Sequence, residues 1–421
     1  MKILVLGSGA REHAIVTALR AEDADHEIIA GPGNAGIAAV VPVIQLDLEN
    51  PEVVAGFAVD NDIELVVIGP EAPLVAGVAD RLRMRGIAVF GPDRAAAQLE
   101  GSKAFAKRIM EAAAVPTGRA SRASTREEAV AAIDEFGAPY VVKADGLAAG
   151  KGVLVTPDRD AAIAHAEHYL GLGSVLIEEF LDGQEVSLFL LSDGENVLPL
   201  SPAQDYKRLS DNDEGPNTGG MGAYSPLPWL KDGFVDEVID TIALPTVRQL
   251  ANEGTPFIGL LYCGLILTEA GTRVIEFNAR FGDPETQVVL PRLVTPLSGL
   301  LYAAATGGLG SLPRPEFSPD VAVTVVLASE GYPELPLSGR AIHGVETAEA
   351  IHGVSIAHAA TTLGDDGFVA TGGRVLSVVA TGADFSEARS RAYRALEAIE
   401  LDGGQFRTDI ALRVAGEEDA S

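Results

Sequence analysis

In the stretch VIEFNARFGDPE, Glu276, Asn278 and Arg280 stand two residues apart. On a strand that spacing puts all three on one face. Hard oxygen donors side by side suit Mg²⁺ bridging nucleotide phosphates. A guanidinium beside them would stabilise charge on a transferring phosphoryl group. A cross-strand salt bridge is the alternative, although a neutral Asn between two charges is not what an ion pair requires. A second stretch, VVKADGLAAGKGVLV, sets Lys143 on a strand and follows it with a loop containing Gly146, Gly150, Lys151 and Gly152. Such glycines free backbone amides to wrap phosphate oxygens, and the lysines add charge. The loop is not a Walker A motif, because the GxxxxGK[ST] spacing fails and a strand follows it. A third stretch, VLIEEFLDGQE, ends an apolar strand on Glu178 and Glu179, then Phe180 and Leu181. Backbone groups at such a hinge can read an adenine edge, and Glu185 can accept from ribose hydroxyls. Ordinary hairpins and solvated acids remain the alternatives for these two stretches.

The chain opens MKILVLGSGAREHA, a strand running into Gly7-Ser-Gly9 and then a helix. That layout is Rossmann-like, but the third glycine of GxGxxG is Glu12. The next strand ends IIAGPG, without the acid that a dinucleotide's ribose needs. Together with PGNAG, the motif reads better as a cradle for one phosphate than as a pyrophosphate site. Lysine usage points to phosphate elsewhere. Only seven lysines accompany twenty-four arginines, and five of the seven, Lys103, Lys107, Lys143, Lys151 and Lys207, fall between residues 100 and 210. Lysine supplies a compact point charge.

These residues need elements to hold them. Strand-like runs Ile3–Leu6, Glu27–Ala30, Leu65–Ile68 and Ala88–Phe90 alternate with helical stretches such as Pro73–Arg85, and each ends in a glycine-containing turn. The alternation implies a parallel sheet with ligands at its C-terminal edge. A second α/β unit starts with a helix over Ser102–Ala114 and includes a helix over Asp160–Leu170. Two later strands separated by EAG read as a hairpin. The polar segment QDYKRLSDNDEGPNTGGMGAYSP reads as a long functional loop. From residue 321 the expectation is hairpins and one helix, Ser386–Ile399. The formal charge of −29 argues against nucleic-acid partners. No run of about eighteen apolar residues predicts a membrane span. One cysteine, Cys263, and no signal-peptide layout suit the cytoplasm.

Taken in order, GSGAREHA, PGNAG, GPEAPL, AAQLEGSKAF, KADGLAAGKGV, IEEFLDGQE, QDYKR, GPNTGGMGAYSP and IEFNARFGDPETQ span nearly the whole chain. With them the chain resembles the glycinamide ribonucleotide synthetase (phosphoribosylamine–glycine ligase) family of ATP-grasp enzymes. The resemblance implies an α/β and α+β multidomain fold. It would comprise an N-terminal Rossmann-like parallel-sheet domain (1–101), a central ATP-grasp fold (102–320, with a flexible lid near 117–188) and a small C-terminal α+β domain (321–421). It implies ATP-dependent joining of glycine to 5-phosphoribosylamine through a glycyl phosphate, the second step of de novo purine synthesis.

By position, Lys143 and Lys151 would hold ATP phosphates with Lys103 nearby, aided by Gly150 and Gly152. Glu178, Glu179, Phe180 and Leu181 would frame adenine, and Glu185 the ribose. Glu276 and Asn278 would bind Mg²⁺ or Mn²⁺. Arg280 would stabilise the acyl phosphate, acting with Lys143. Asp205, Lys207 and Asp283 would serve glycine or the ribosyl substrate, and Gly9, Asn34, Gly36 and Glu71 the phosphoribosylamine. One departure stands out: the preceding strand reads CGLIL, with no second metal-binding acid before Glu269. Small-molecule substrates and a monomer, with a dimer as alternative, complete the expectation. The rivals are a dinucleotide-dependent oxidoreductase, an ATP-grasp ligase for another acid or amine, and a non-catalytic nucleotide-binding module.

Overall fold

The computed structural model describes residues 1–146, 152–365 and 367–418. Gly150 and Lys151 therefore lie outside the described residues. The N-terminal strands are short and apolar because both faces are covered. Lys2–Gly7, Glu27–Pro32, Leu65–Ile68 and Ala88–Phe90 pair in parallel, with Lys2–Gly7 and Leu65–Ile68 inside. Their buried Ile, Leu and Val side chains fit a two-sided parallel sheet. The single helix expected over Pro73–Arg85 is two, Glu71–Ala76 and Val78–Met84. Gly77 divides them at φ +88, a left-handed turn that ends a helix. The helix expected from Ser102 begins at Lys103, because the Ser102 hydroxyl caps it by accepting from the Phe105 N–H.

Two antiparallel sheets follow. The first orders Ala120–Ala123, Val175–Glu178, Tyr140–Ala144 and Val153–Thr156. Helices Arg126–Phe136 and Arg159–Leu170 cover it around a small core of its own, including Ile133, Val142, Ala162 and Ile177. The second orders Val197–Pro199, Gln184–Asp193, Ile258–Thr268 and Gly271–Asn278. The expected hairpin pairs Thr268 with Gly271 across Glu269 and Ala270.

The segment expected as a long loop is largely strand. Arg208–Ser210 pairs with Glu214–Asn217, and Gly222–Ser225 pairs with Val321–Ala328. Gly222–Ser225 finds that partner about a hundred residues away, which local pattern does not reveal. Gln204–Asp205 and Gly222–Ser225 thereby complete the C-terminal sheet with Val321–Ala328, Arg374–Gly382 and Val354–His358. Among the described residues, that region carries three helices where one was expected: Phe385–Ala398, Val345–Glu349 and Leu412–Glu418. The first is capped by the Asp384 side chain. Outside the first central sheet, one core runs from the N-terminal unit through the second central sheet into the C-terminal sheet, from Leu4 through Val186 and Phe277 to Val378. Among the described residues no helix is long and apolar enough to cross a membrane.

The N- and C-terminal units meet at two histidines. The His358 N–H donates to His13 Nδ1 at 2.8 Å, and the rings lie 5.7 Å apart. Gly36 lets them close: a Cβ there would come within 2.5 Å of both rings. Burial lowers both imidazoles to about 4, and for His13 the neighbouring His358 adds to the effect. Neutral rings are what the interface accepts, so their contribution is present above pH 6.5 and lost as pH falls toward 4. Calorimetric scans from pH 7.5 to 5 should show a falling unfolding midpoint, about 2 kcal/mol per ring by pH 5. His13→Gln should flatten that slope.

Candidate active site

A cleft of about 1280 Å³ opens between the two central sheets. Lys103, Lys143, Glu178, Glu185, Lys207 and Glu276 line it, together with Gly152, Asn278, Arg280 and Asp283. The strand Gly271–Asn278 delivers Glu276 and Asn278 to this opening. Phe277, between them, turns into the core and is 3% exposed. Arg280, expected on the same strand, lies two residues beyond its end, where the chain bends, yet still faces the cleft. Its guanidinium is held by Glu71 at 3.5 Å, Glu100 at 3.1 Å and the Phe281 carbonyl at 3.2 Å. Burial works to lower its pKa, but Glu100 and Glu71 raise it above the ordinary value. Glu100 also accepts the Ala279 N–H at 2.7 Å, fixing the bend. Burial raises the Glu100 carboxyl against the pull of Arg280.

The Glu276 carboxylate makes no hydrogen bond or ion pair to a described residue, and neither does the Asn278 amide. Burial pushes the Glu276 carboxyl up, yet Lys207, Lys143, Lys103 and Arg280 outweigh it and hold it below the usual range. A deprotonated carboxylate and a neutral amide oxygen, both uncommitted and two residues apart, fit a hard divalent cation. No group of three or more His, Cys, Asp or Glu converges among the described residues. The described residues thus offer two such ligands, and phosphate oxygens and water would complete the shell.

Lys143, on Tyr140–Ala144, is buried, 3.1 Å from Glu178, and donates to the Ile275 carbonyl at 3.2 Å. Lys103 starts its helix and donates to the Gly146 carbonyl at 3.2 Å. Glu178 points inward between Lys143 and Lys107, so the hinge offers a ligand its backbone but not this carboxylate. Glu179 is turned toward Arg119 and Arg273, while Phe180 and Leu181 stay on the cleft wall. The Glu185 Oε2 accepts Lys207 at 2.6 Å. Burial lowers the Lys207 ammonium, but Glu185, Asp205 and Glu276 overcome it and raise it well above its ordinary value. Behind them Glu285 accepts from Tyr262 at 2.5 Å and Ser187 at 3.2 Å.

A smaller cavity of about 440 Å³ joins the N- and C-terminal units. Gly9, Asn34, Thr361, Asp283 and Arg374 are among its lining residues, and the last two line the large cleft as well. Arg374 binds the Asp283 carboxylate at 2.9 Å and the Gly219 carbonyl at 2.7 Å. Asn34 ties the N- and C-terminal units, donating to the Ser8 and His358 carbonyls and capping Ala35–Ala38. Gly36 lines neither cavity and packs against the two imidazoles instead. In the opening motif Glu12 folds back: its carboxylate accepts the Gly9 N–H at 2.6 Å and pairs with Arg11 at 2.5 Å. Its side chain fills the space over Gly7 and Gly69, where a Cβ would come within 2.5 and 2.0 Å of it. The position that a dinucleotide site gives to glycine is therefore closed by a side chain.

Sequence reasoning missed Glu100, Lys107, Glu285 and Arg374 as part of this wall. Lys107 carried a signal in the lysine cluster, and Glu100 in EGSKAF. Arg374 lies in a region read only as hairpins, and carried none.

Burial lifts the Asp205 carboxyl to about 7; Lys207 opposes this, while Glu285 and Glu185 reinforce it. The folded state thus binds a proton that the unfolded chain releases near pH 4, and its stabilising effect is lost as pH rises through 7. Asp205→Asn should gain more stability over the parent at pH 8 than at pH 5, read by thermal unfolding at the two pH values.

Three family models cover the chain. They are the phosphoribosylglycinamide synthetase N domain over residues 1–100, its ATP-grasp (A) domain over 101–286 and its C domain over 322–413. A phosphoribosylamine–glycine ligase of Leifsonia xyli is 73% identical over 98% of this chain and 100% of that protein. One from Mycobacterium tuberculosis is 51% identical over 99% of each. The solved phosphoribosylamine–glycine ligase of Thermotoga maritima superposes with a TM-score of 0.83 at 34% identity, covering 97% of this chain and 100% of that one. A biotin carboxylase domain from Hydrogenobacter thermophilus shares the fold at 19% identity, with a TM-score of 0.71 over 96% and 91% of the two chains. The chain belongs to the phosphoribosylglycinamide synthetase family.

Proposed function

We propose that this cleft joins glycine to 5-phosphoribosylamine with ATP, giving glycinamide ribonucleotide, ADP and phosphate. A carboxylate is a poor electrophile until one oxygen becomes a leaving group. ATP's terminal phosphoryl group passes to the glycine carboxylate, leaving ADP and glycyl phosphate. The amine nitrogen of phosphoribosylamine then attacks the acyl carbon, expels phosphate and loses a proton. The observation that carries this reading is the uncommitted Glu276 and Asn278 pair facing Lys103, Lys143, Lys207 and Arg280 across one cleft.

Glu276 and Asn278 would hold Mg²⁺ or Mn²⁺, which supplies charge neutralisation at the phosphates. Lys143 and Lys103 hold phosphate oxygens, and Gly152 edges the same wall. The backbone of Glu178, Glu179, Phe180 and Leu181 meets adenine. Glu185 keeps Lys207 on one oxygen and accepts ribose hydroxyls with the other. Arg280, pre-positioned by Glu71 and Glu100, offsets charge on the acyl phosphate without having to reorganise. Asp205, Lys207 and Asp283 border the space for glycine. Gly9 and Asn34, beside Asp283, border the space for the sugar phosphate. The first central sheet closes over ATP as a lid and excludes water. We place the enzyme in the cytoplasm as a monomer, in keeping with a buried free thiol at Cys263.

Supplied with ATP, Mg²⁺ and fresh phosphoribosylamine, the protein should form ribonucleotide product with glycine and not with alanine, serine or aspartate. Product from another amino acid in place of glycine would overturn the substrate assignment. Glu276→Ala should lower turnover at least about a hundredfold while circular dichroism stays unchanged. Normal turnover in that variant would remove the metal role.

A further inference from the structure

Lys107 lies on the cleft wall but has no ligand-binding role in the reading above. Its helix, Lys103–Ala112, packs on the helix Leu244–Asn252 and on the strand bearing Glu276, so it belongs to the body of the protein. The ammonium contacts three acceptors: Thr117 Oγ1 at 3.0 Å, the Gly118 carbonyl at 2.9 Å and Glu178 Oε2 at 3.1 Å. Three N–H groups meet three acceptors, so none is left for a phosphate. Thr117 and Gly118 lie where the chain enters the first central sheet, and Glu178 ends that sheet's last strand. One side chain therefore grips both crossings between this sheet and the body.

The same Glu178 oxygen, 6% exposed as a side chain, is also 3.1 Å from Lys143. A buried carboxylate left with one ammonium would form a closed, neutral pair. With two, it leaves one positive charge over. We propose that Lys107 is a positioning residue that neutralises Glu178, so that Lys143 can turn its charge to the ATP phosphates. This rests on the reading of Lys143 as a phosphate ligand. Lys107 acts through the carboxylate and touches no substrate.

The test is calorimetric titration of the full chain with a non-hydrolysable ATP analogue and Mg²⁺. Lys107→Met should weaken binding about ten- to hundredfold, the scale of one charged contact. Adding Glu178→Gln to it should restore binding to within about threefold of the parent, because Lys143 is released again. Glu178→Gln alone should bind more tightly than the parent. Unchanged binding in Lys107→Met, or failure of Glu178→Gln to rescue it, overturns the proposal, since a purely structural tie would not be mended by removing its partner. If Lys107→Met does not fold, Glu178→Gln alone decides: tighter binding supports the proposal, and equal or weaker binding overturns it. Lys143→Met separates the two levels. If it binds normally, the phosphate reading fails and this proposal with it. If it binds weakly while Lys107→Met binds normally, only the proposal fails.

Discussion

Cations crowded into one cleft repel one another, and this cleft exists because carboxylates are threaded among them. Glu178 lies between Lys107 and Lys143. Glu71 and Glu100 flank Arg280, Glu185 takes Lys207, Asp283 takes Arg374, and Glu12 takes Arg11. Burying such charges is costly unless each is paired and hydrogen-bonded. Lys103 rests on a carbonyl, and Glu276 stays unpaired while being surrounded by positive charge. On the proposed reading, an anionic ligand with its metal would meet a wall whose polarity is already in place, leaving little reorganisation for the moment of reaction.

The same pairs join the units. Arg280 reaches Glu71 in the N-terminal unit, and Arg374 in the C-terminal sheet reaches Asp283 and the Gly219 carbonyl. Arg407, 1% exposed, binds Asp409 and Asp213 and stacks 4.8 Å from the Tyr206 ring. It thereby fixes the segment that carries Asp205 and Lys207. The ties Arg280–Glu71, Arg374–Asp283 and Arg407–Asp213 are long-range in sequence, so the cleft's walls are set by how the units dock rather than by any one of them.

Much of the candidate site was legible because strands and glycine turns leave local marks. Period-two spacing put Glu276 and Asn278 on one face, and both line the cleft; glycine-punctuated apolar runs marked the parallel sheet. Arg280 was placed correctly in the cleft but wrongly on a strand, because the bend depends on Glu100, far away in sequence. Within segment 204–226, Gly222–Ser225 looked like loop because its partner strand, Val321–Ala328, lies in the distant C-terminal sheet. The helix over 73–85 failed at Gly77, where a left-handed turn overrode apolar spacing.

By itself the sequence determined residue types and their spacing: the oxygen donors at 276 and 278, the lysines at 103 and 143, the glycine-rich turns, and a Glu in place of the third Rossmann glycine. Spacing and propensity are local and survive in one dimension. Only the tertiary structure decided which charges pair. It sends Glu178 inward to two lysines and folds Glu12 over Gly9. It also brings Arg374 to Asp283 and seats Gly36 against two imidazoles. Those choices follow from desolvation and close packing between distant segments, and neither leaves a periodic trace in the chain.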